Sequence, residues 1–358
     1  MELLDVPLLA TLAQPDGATA MDILDQLPKA ELHVHLEGTL EPELALTLAA
    51  RNGITLPWTD PEALRQAYSF NDLPSFLAVY YAGMTVLQTE QDFYDLAMAY
   101  FRKAAEENIV YVEPFFDPQA HTRRGISFDV VIRGFLRAQA DARTQLGIES
   151  HLIMCFLRDE SAASAAEHLE LATPWLDQLI GVGLDSDEAG NPPRKFTEVF
   201  ARARERGLKL TMHCDLNQTD SPLHIRECLD LIGVERIDHG INALDDPSLV
   251  PDIVQRKLAL TVCPVSNRFV VGNLTAAEIR TLMDQGVCVT INSDDPAYFG
   301  AYLTQNLKAL RDEAGFEQTR VLRLARNAFE GSWLEPARLS HYLQRFDDYV
   351  AAASADSS

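Results

Sequence analysis

Four stretches of this 358-residue chain carry histidines and carboxylates at the ends of apolar runs. The first is Leu32-His33-Val34-His35-Leu36, followed by Glu37-Gly38. Its alternation has period two, which predicts a β-strand with both imidazoles on one face. Two imidazoles side by side at a strand end can grip a divalent cation; alone, they read more readily as strand-end hydrogen bonders. Partners found elsewhere decide between the two. His213-Cys214-Asp215 ends a second apolar run, and Asp238-His239-Gly240 a third. The fourth, Val287 to Asn292, leads into Ser293-Asp294-Asp295-Pro296, which could also be a plain turn. If the ends converge, three imidazoles and one of these aspartates make up a catalytic zinc site with a position left open for water.

The elements that must position these residues follow a rhythm. β-type runs are predicted at 32–36, 109–116, 151–157, 179–184, 208–214, 236–239, 258–263 and 287–291, with helical patterns between them. Eight strands alternating with helices predict an α/β chain, a TIM-type (β/α)8 barrel whose chemistry gathers at the C-terminal strand ends. A doubly wound open sheet would want a Gly-rich phosphate turn, and Gly38 stands alone in its turn. A helical insert of about 70 residues, 41–108, follows the first strand and is too long for a simple loop, so it is expected to act as a lid or pocket wall. Residues 1–28 read as a short leader with a helical pattern over 20–27. Residues 354–358 read as a small polar tail. No repeat or low-complexity tract occurs, and the whole of 1–358 is read as one domain.

Composition narrows the partners. The formal net charge of −23 repels phosphate backbones, so a nucleic-acid polymer is an unsuitable partner. A small neutral or cationic ligand fits. The five cysteines are odd in number and form no C-x-x-C, which argues for a reducing compartment and against a disulfide framework. No basic segment precedes the short apolar start, and no stretch of 18 apolar residues occurs, so a soluble cytoplasmic protein with no membrane partner is expected. Oligomeric state is not legible.

The motifs His33-Val34-His35-Leu36-Glu37-Gly38, Arg236-Ile237-Asp238-His239-Gly240, Cys263-Pro264-Val265-Ser266-Asn267 and Asn292-Ser293-Asp294-Asp295-Pro296 together resemble the adenosine and adenine deaminases of the amidohydrolase superfamily. The resemblance runs from about Leu27 to about Trp333. It implies hydrolytic deamination of a small-molecule 6-aminopurine, with one zinc per chain held by His33, His35, His213 and Asp294. The ligand set also suits Fe2+. It implies that His239 orients and polarises the attacking water and that Asp295 hydrogen-bonds the purine at N7.

One position departs from the family. A glutamate three residues after the strand-five histidine serves there as proton shuttle; here that residue is Leu216. Asp215 is the nearest carboxylate in sequence and is the candidate replacement. Glu37 stands where adenosine deaminases carry an aspartate that reaches the ribose, and glutamate there resembles the adenine branch. Phe115-Phe116-Asp117-Pro118-Gln119 and the loop from Leu184-Asp185-Ser186 to Pro193 resemble that branch too. The expected substrate is therefore free adenine, with Glu37 and Asp295 at the substrate. An N6-substituted adenine of the cytokinin kind, adenosine, and a non-catalytic purine-binding role remain as alternatives.

Overall fold

The computed structural model describes residues 22–68, 70, 73–214, 216 and 218–355. Asp215, the candidate shuttle, lies outside the described residues, as does most of the expected leader. Asp22 caps a short helix at Ile23–Gln26, its side chain accepting from Leu24 N.

Among the described residues, ten ladder segments build eight parallel strands, because the second and third are each interrupted once. They are β1 (Lys29–Glu31), β2 (Ile109–Val112, resuming at Phe115–Phe116), β3 (Glu149–Ser150, resuming at Leu152–Leu157) and β4 (Leu179–Asp185). β5 (Lys209–Cys214), β6 (Arg236–His239), β7 (Ala259–Val262) and β8 (Cys288–Ile291) complete them. Neighbours pair in chain order from β1 to β8. Beyond the end of β1, a bridge of Val34 with Asp294 closes the circle, while one of His35 with Phe115 extends the pairing with β2. The result is a closed (β/α)8 barrel.

The strand holding the histidine pair begins earlier than the alternation suggests. Its ladder covers Lys29–Glu31, and at Leu32 the backbone N donates to the side-chain Oδ1 of Asn292 at 2.9 Å instead of to a neighbouring strand. The chain then rejoins the barrel at Val34 and His35. In β2, Pro114 lies in the gap between the two segments, where it has no N–H to give.

The expected insert over 41–108 is four helices, Pro42–Asn52, Pro61–Ala67, Leu73–Met84 and Glu90–Glu106. Pro42 and Pro61 open the first two, where a missing N–H costs nothing. Thr89 and Asp92 form a capping box for the last. Helices at Pro118–Thr122, Pro264–Val271 and Pro296–Phe299 were not expected from the apolar period; each follows an X-Pro step at the barrel mouth. No helix among the described residues is long and apolar enough to cross a membrane.

Towards the other end of the barrel, Arg236 is fully buried, with Nη1 2.5 Å from Glu113 Oε2 and its guanidinium over the Trp333 ring at 4.2 Å. Glu113 Oε1 accepts from Tyr111 Oη at 2.8 Å and from Trp333 N at 2.7 Å. The arginine of the Arg236-Ile237-Asp238-His239-Gly240 motif is thus tied into the packing of the barrel, two residues from a mouth that its neighbours serve.

Candidate active site

Barrel closure and site assembly are one event. Asp294 N donates to His33 O at 3.0 Å, and His35 N donates to Asp294 O at 3.0 Å. These two bonds fix the β8 end against the segment between the histidines. Asp294 Oδ1 then lies 3.2 Å from His33 Nε2 and 3.4 Å from His35 Nε2. His213, from the end of β5, brings its Nε2 to 3.2 Å from that of His35. All four donor atoms lie within 4.8 Å of one another and all four residues are buried.

That cluster fits a divalent cation. Zinc bound at ~2.0–2.1 Å in a tetrahedron sets its ligand atoms roughly 3.3 Å apart, matching the three contacts of 3.2–3.4 Å here. His33 Nε2 is buried with no hydrogen-bond partner of its own. The outward nitrogen of His33 is backed as in metal-binding imidazoles, and those of the other two face carboxylates. His33 Nδ1 meets Thr261 Oγ1 and O at 3.0 and 3.1 Å. His213 Nδ1 lies 3.5 Å from Asp238 Oδ2, and His35 Nδ1 3.5 Å from Asp185 Oδ2.

Electrostatics suits the donor set. Burial lowers the pKa of His33 and, helped by the neighbouring imidazoles, that of His213 well below the ordinary value, so both are neutral and able to ligate. Burial opposes ionisation of Asp294, but His33, His35 and His239 outweigh it and hold the carboxyl well below its usual range. Burial also opposes charge on His35, yet Asp295, Asp294 and Asp185 around it raise its pKa. The cluster thus attracts positive charge.

Two non-glycine residues here adopt the left-handed backbone region, His239 at φ 58° and Asp294 at φ 66°. Such strain gathers at functional sites. His239 Nε2 reaches to 3.8 Å from Asp294 Oδ2, and that oxygen accepts from Ser266 Oγ at 2.6 Å.

A cavity of about 200 Å³ opens over the cluster. Its floor includes His35, His213, His239 and Asp294; Asp295, Asp117 and Asp185 also line it. The insert helix Leu73–Met84 contributes Phe76, Leu77, Tyr80 and Tyr81, so the predicted pocket wall is present. Leu216, Phe269, Val270 and Phe299 add apolar surface. Asp295 Oδ1 is buried there without a hydrogen-bond partner. Gly38 makes room for it: a Cβ on Gly38 would stand 1.9 Å from that oxygen.

An adenosine deaminase family model matches residues 28–349. The chain belongs to the adenosine deaminase family. It is 47% identical over 328 residues to an adenine deaminase of Acinetobacter baylyi, covering 91% of this chain and 98% of that one. It is 49% identical over 326 residues to an adenine deaminase of Zymomonas mobilis subsp. mobilis, covering 90% and 96%. The crystal structure of an adenine deaminase from Arthrobacter aurescens superposes with a TM-score of 0.87 at 42% identity, over 91% of this chain and 99% of that chain.

Within this adenosine deaminase family member, His33, His35, His213, His239, Asp294 and Asp295 come together as the sequence suggests. Glu37 does not reach the substrate cavity. It is fully buried and absent from the cavity wall; Oε1 accepts from Asp117 N at 3.1 Å and from His121 Nε2 at 2.8 Å. Arg124 Nη2 donates to His121 Nδ1 at 2.8 Å, which leaves the His121 proton on Nε2, facing Glu37. Glu37 is therefore a positioning residue for the Asp117 backbone. Leu216 is 6% exposed and lines the cavity, so the family's glutamate position presents an apolar side chain here.

Sequence reasoning missed Thr261 and Arg158, and it placed Ser266 in a motif without a role of its own. Arg158 is fully buried and donates from Nη1 to His213 O at 2.8 Å and from Nε to Asn191 O at 2.9 Å, pinning the end of β5. Nothing local marks it, because its partners lie 33 and 55 residues away.

Proposed function

We propose that this chain is a metal-dependent hydrolase that deaminates a free 6-aminopurine, converting adenine and water to hypoxanthine and ammonia. The observation that carries the reading is the four-donor cluster at the floor of a small aromatic-walled cavity that also holds the unpaired Asp295 Oδ1. Relatives at 47–49% identity named adenine deaminases support the choice of purine.

His33, His35, His213 and Asp294 would hold one ion; three nitrogens and one oxygen suit zinc, and Fe2+ is the alternative. Held there, such an ion would supply a water whose pKa is lowered from about 16 to about 7, roughly 12 kcal/mol of help in making a nucleophile at neutral pH. His239 orients and polarises the attacking water towards C6. Asp295 hydrogen-bonds N7 and fixes the ring. We assign to Asp215 the shuttling of the attacking water's two protons, the first to N1 and the second to the departing amine, since the side chain of Leu216 has no proton to move.

The test is a panel of adenine, adenosine and N6-isopentenyladenine on metal-loaded protein, read as kcat/KM. Adenine as the best substrate is expected, and adenosine as the best would overturn the free-base reading. Asp215→Ala with zinc still bound and turnover near wild type would move the shuttle role to another group.

A second reading has its own support. Leu216, Phe76, Phe269, Val270 and Phe299 give the cavity an apolar side that would receive an N6-alkyl substituent. On that reading N6-isopentenyladenine leads the panel, and Leu216→Glu abolishes that lead while sparing adenine.

A further inference from the structure

Two carboxylates in the cavity have no part of the substrate assigned to them: Asp117 and Asp185. Each is 3% exposed and lines the cavity. Together with His35 they form a buried cluster with one ligand-type atom of each within 4.8 Å of the others. Each has an Oδ1 shielded from solvent with no hydrogen-bond partner. A buried acceptor left unpaired is costly, and in a cavity wall it calls for a donor on the ligand.

Local structure holds both side chains available. Asp117 precedes the helix Pro118–Thr122, at the position where an aspartate usually caps, yet its side chain makes no capping bond. Its backbone is fixed by Glu37 instead. Asp185 ends β4, and the chain turns sharply at Ser186, φ 74°, whose hydroxyl lies 3.2 Å from Tyr81 Oη.

We propose that the Asp117–Asp185 pair accepts the ring N–H of a free purine base and so excludes purines substituted at N9. This rests on the deaminase reading. With C6 at the metal cluster and N7 at Asp295, the one ring donor a free base has left is N9–H. A nucleoside has no hydrogen at N9 and carries a sugar there. The unpaired oxygens of the pair are acceptors, matched to the first and mismatched to the second.

A purely structural role is the competing account, because Asp185 Oδ2 also lies 3.5 Å from His35 Nδ1. Orienting His35 would affect every substrate alike and would weaken metal retention. Recognition of N9–H would affect only substrates that have it.

The experiment compares adenine with 9-methyladenine on metal-loaded wild type and Asp117→Asn, with metal content measured by mass spectrometry. Wild type should favour adenine by roughly 10- to 100-fold in kcat/KM, the span of one hydrogen bond to a charged group. In that variant the preference should collapse through a raised KM for adenine, with 9-methyladenine turnover and metal content unmoved. Equal use of the two bases by wild type overturns the proposal without any variant having to fold. Parallel loss on both bases, or loss of metal, assigns the pair to structure and overturns it too. If wild type deaminates neither base, the deaminase reading itself falls and takes this inference with it.

Discussion

His33 and Asp294 are joined twice. The Asp294 amide donates to the His33 carbonyl at 3.0 Å, and Asp294 Oδ1 lies 3.2 Å from His33 Nε2. The backbone bond closes the barrel; the side-chain contact builds the cation site. The two functions are therefore separable by mutation. Asp294→Ala should keep the barrel, seen as an unchanged far-ultraviolet spectrum and cooperative unfolding, while metal affinity falls by at least about 100-fold. Loss of the fold together with the metal would contradict that separation.

Asp238 acts one layer further out. Its Oδ2 accepts from Thr211 Oγ1 at 2.7 Å and stands 3.5 Å from His213 Nδ1. Its Oδ1 accepts from Thr261 Oγ1 at 2.8 Å, and that hydroxyl reaches His33. One carboxylate thus stands beside His213 and reaches His33 through Thr261. Asp238→Asn should weaken metal binding about 10- to 100-fold in a chelator competition. An unchanged affinity would remove Asp238 from the account.

Gly38 is where backbone and site meet most closely. A Cβ there would lie 1.9 Å from Asp295 Oδ1 and 2.8 Å from Asp295 Cα. Gly38→Ala must push Asp295 away, with an expected cost of about 1–3 kcal/mol in urea unfolding and a raised KM for adenine. A variant of wild-type stability and KM would mean that Asp295 has freedom the structure does not grant it.

Much of this arrangement was readable in advance, for physical reasons. Strand ends in a parallel barrel are bounded by apolar runs, so His213, His239 and Asp294 stand out against Met212, Ile237 and Ile291. The start of β1 was hidden because Lys29 and Glu31 are charged residues that are nonetheless buried. Tertiary partners satisfy them: Lys29 Nζ donates to Leu24 O at 2.7 Å and to Leu27 O at 2.9 Å, and Glu31 accepts from Tyr100 Oη at 2.6 Å. Glu37 was misplaced for a related reason. Its neighbour in sequence is the histidine pair, but its hydrogen bonds run 80 and 84 residues away. The helix Pro264–Val271 was missed because Ser266 and Asn267 look like loop residues, although both are buried.

Lys29 gives the fold a pH signature. Burial lowers its ammonium pKa to about 8 from 10.5. Between those values the unfolded chain binds more protons than the folded one, so this group's contribution to stability rises with pH across that window. Below pH 8 the lysine is charged in both states and its burial carries a fixed cost. The difference in unfolding free energy between wild type and Lys29→Met should shift in favour of wild type by about 3 kcal/mol from neutral pH to about pH 11. A difference that stays flat would mean the folded protein leaves this ammonium as easily charged as water does.

The central claim is that four buried side chains from the ends of β5 and β8 and from the segment after β1 hold one ion that makes adenine hydrolysis possible. The direct measurement is hypoxanthine formed from adenine by the metal-stripped protein as zinc is added back. The account predicts negligible product at the start and a rate that climbs to a plateau at one equivalent per chain. Full activity in the stripped protein, or none at any loading, would contradict it.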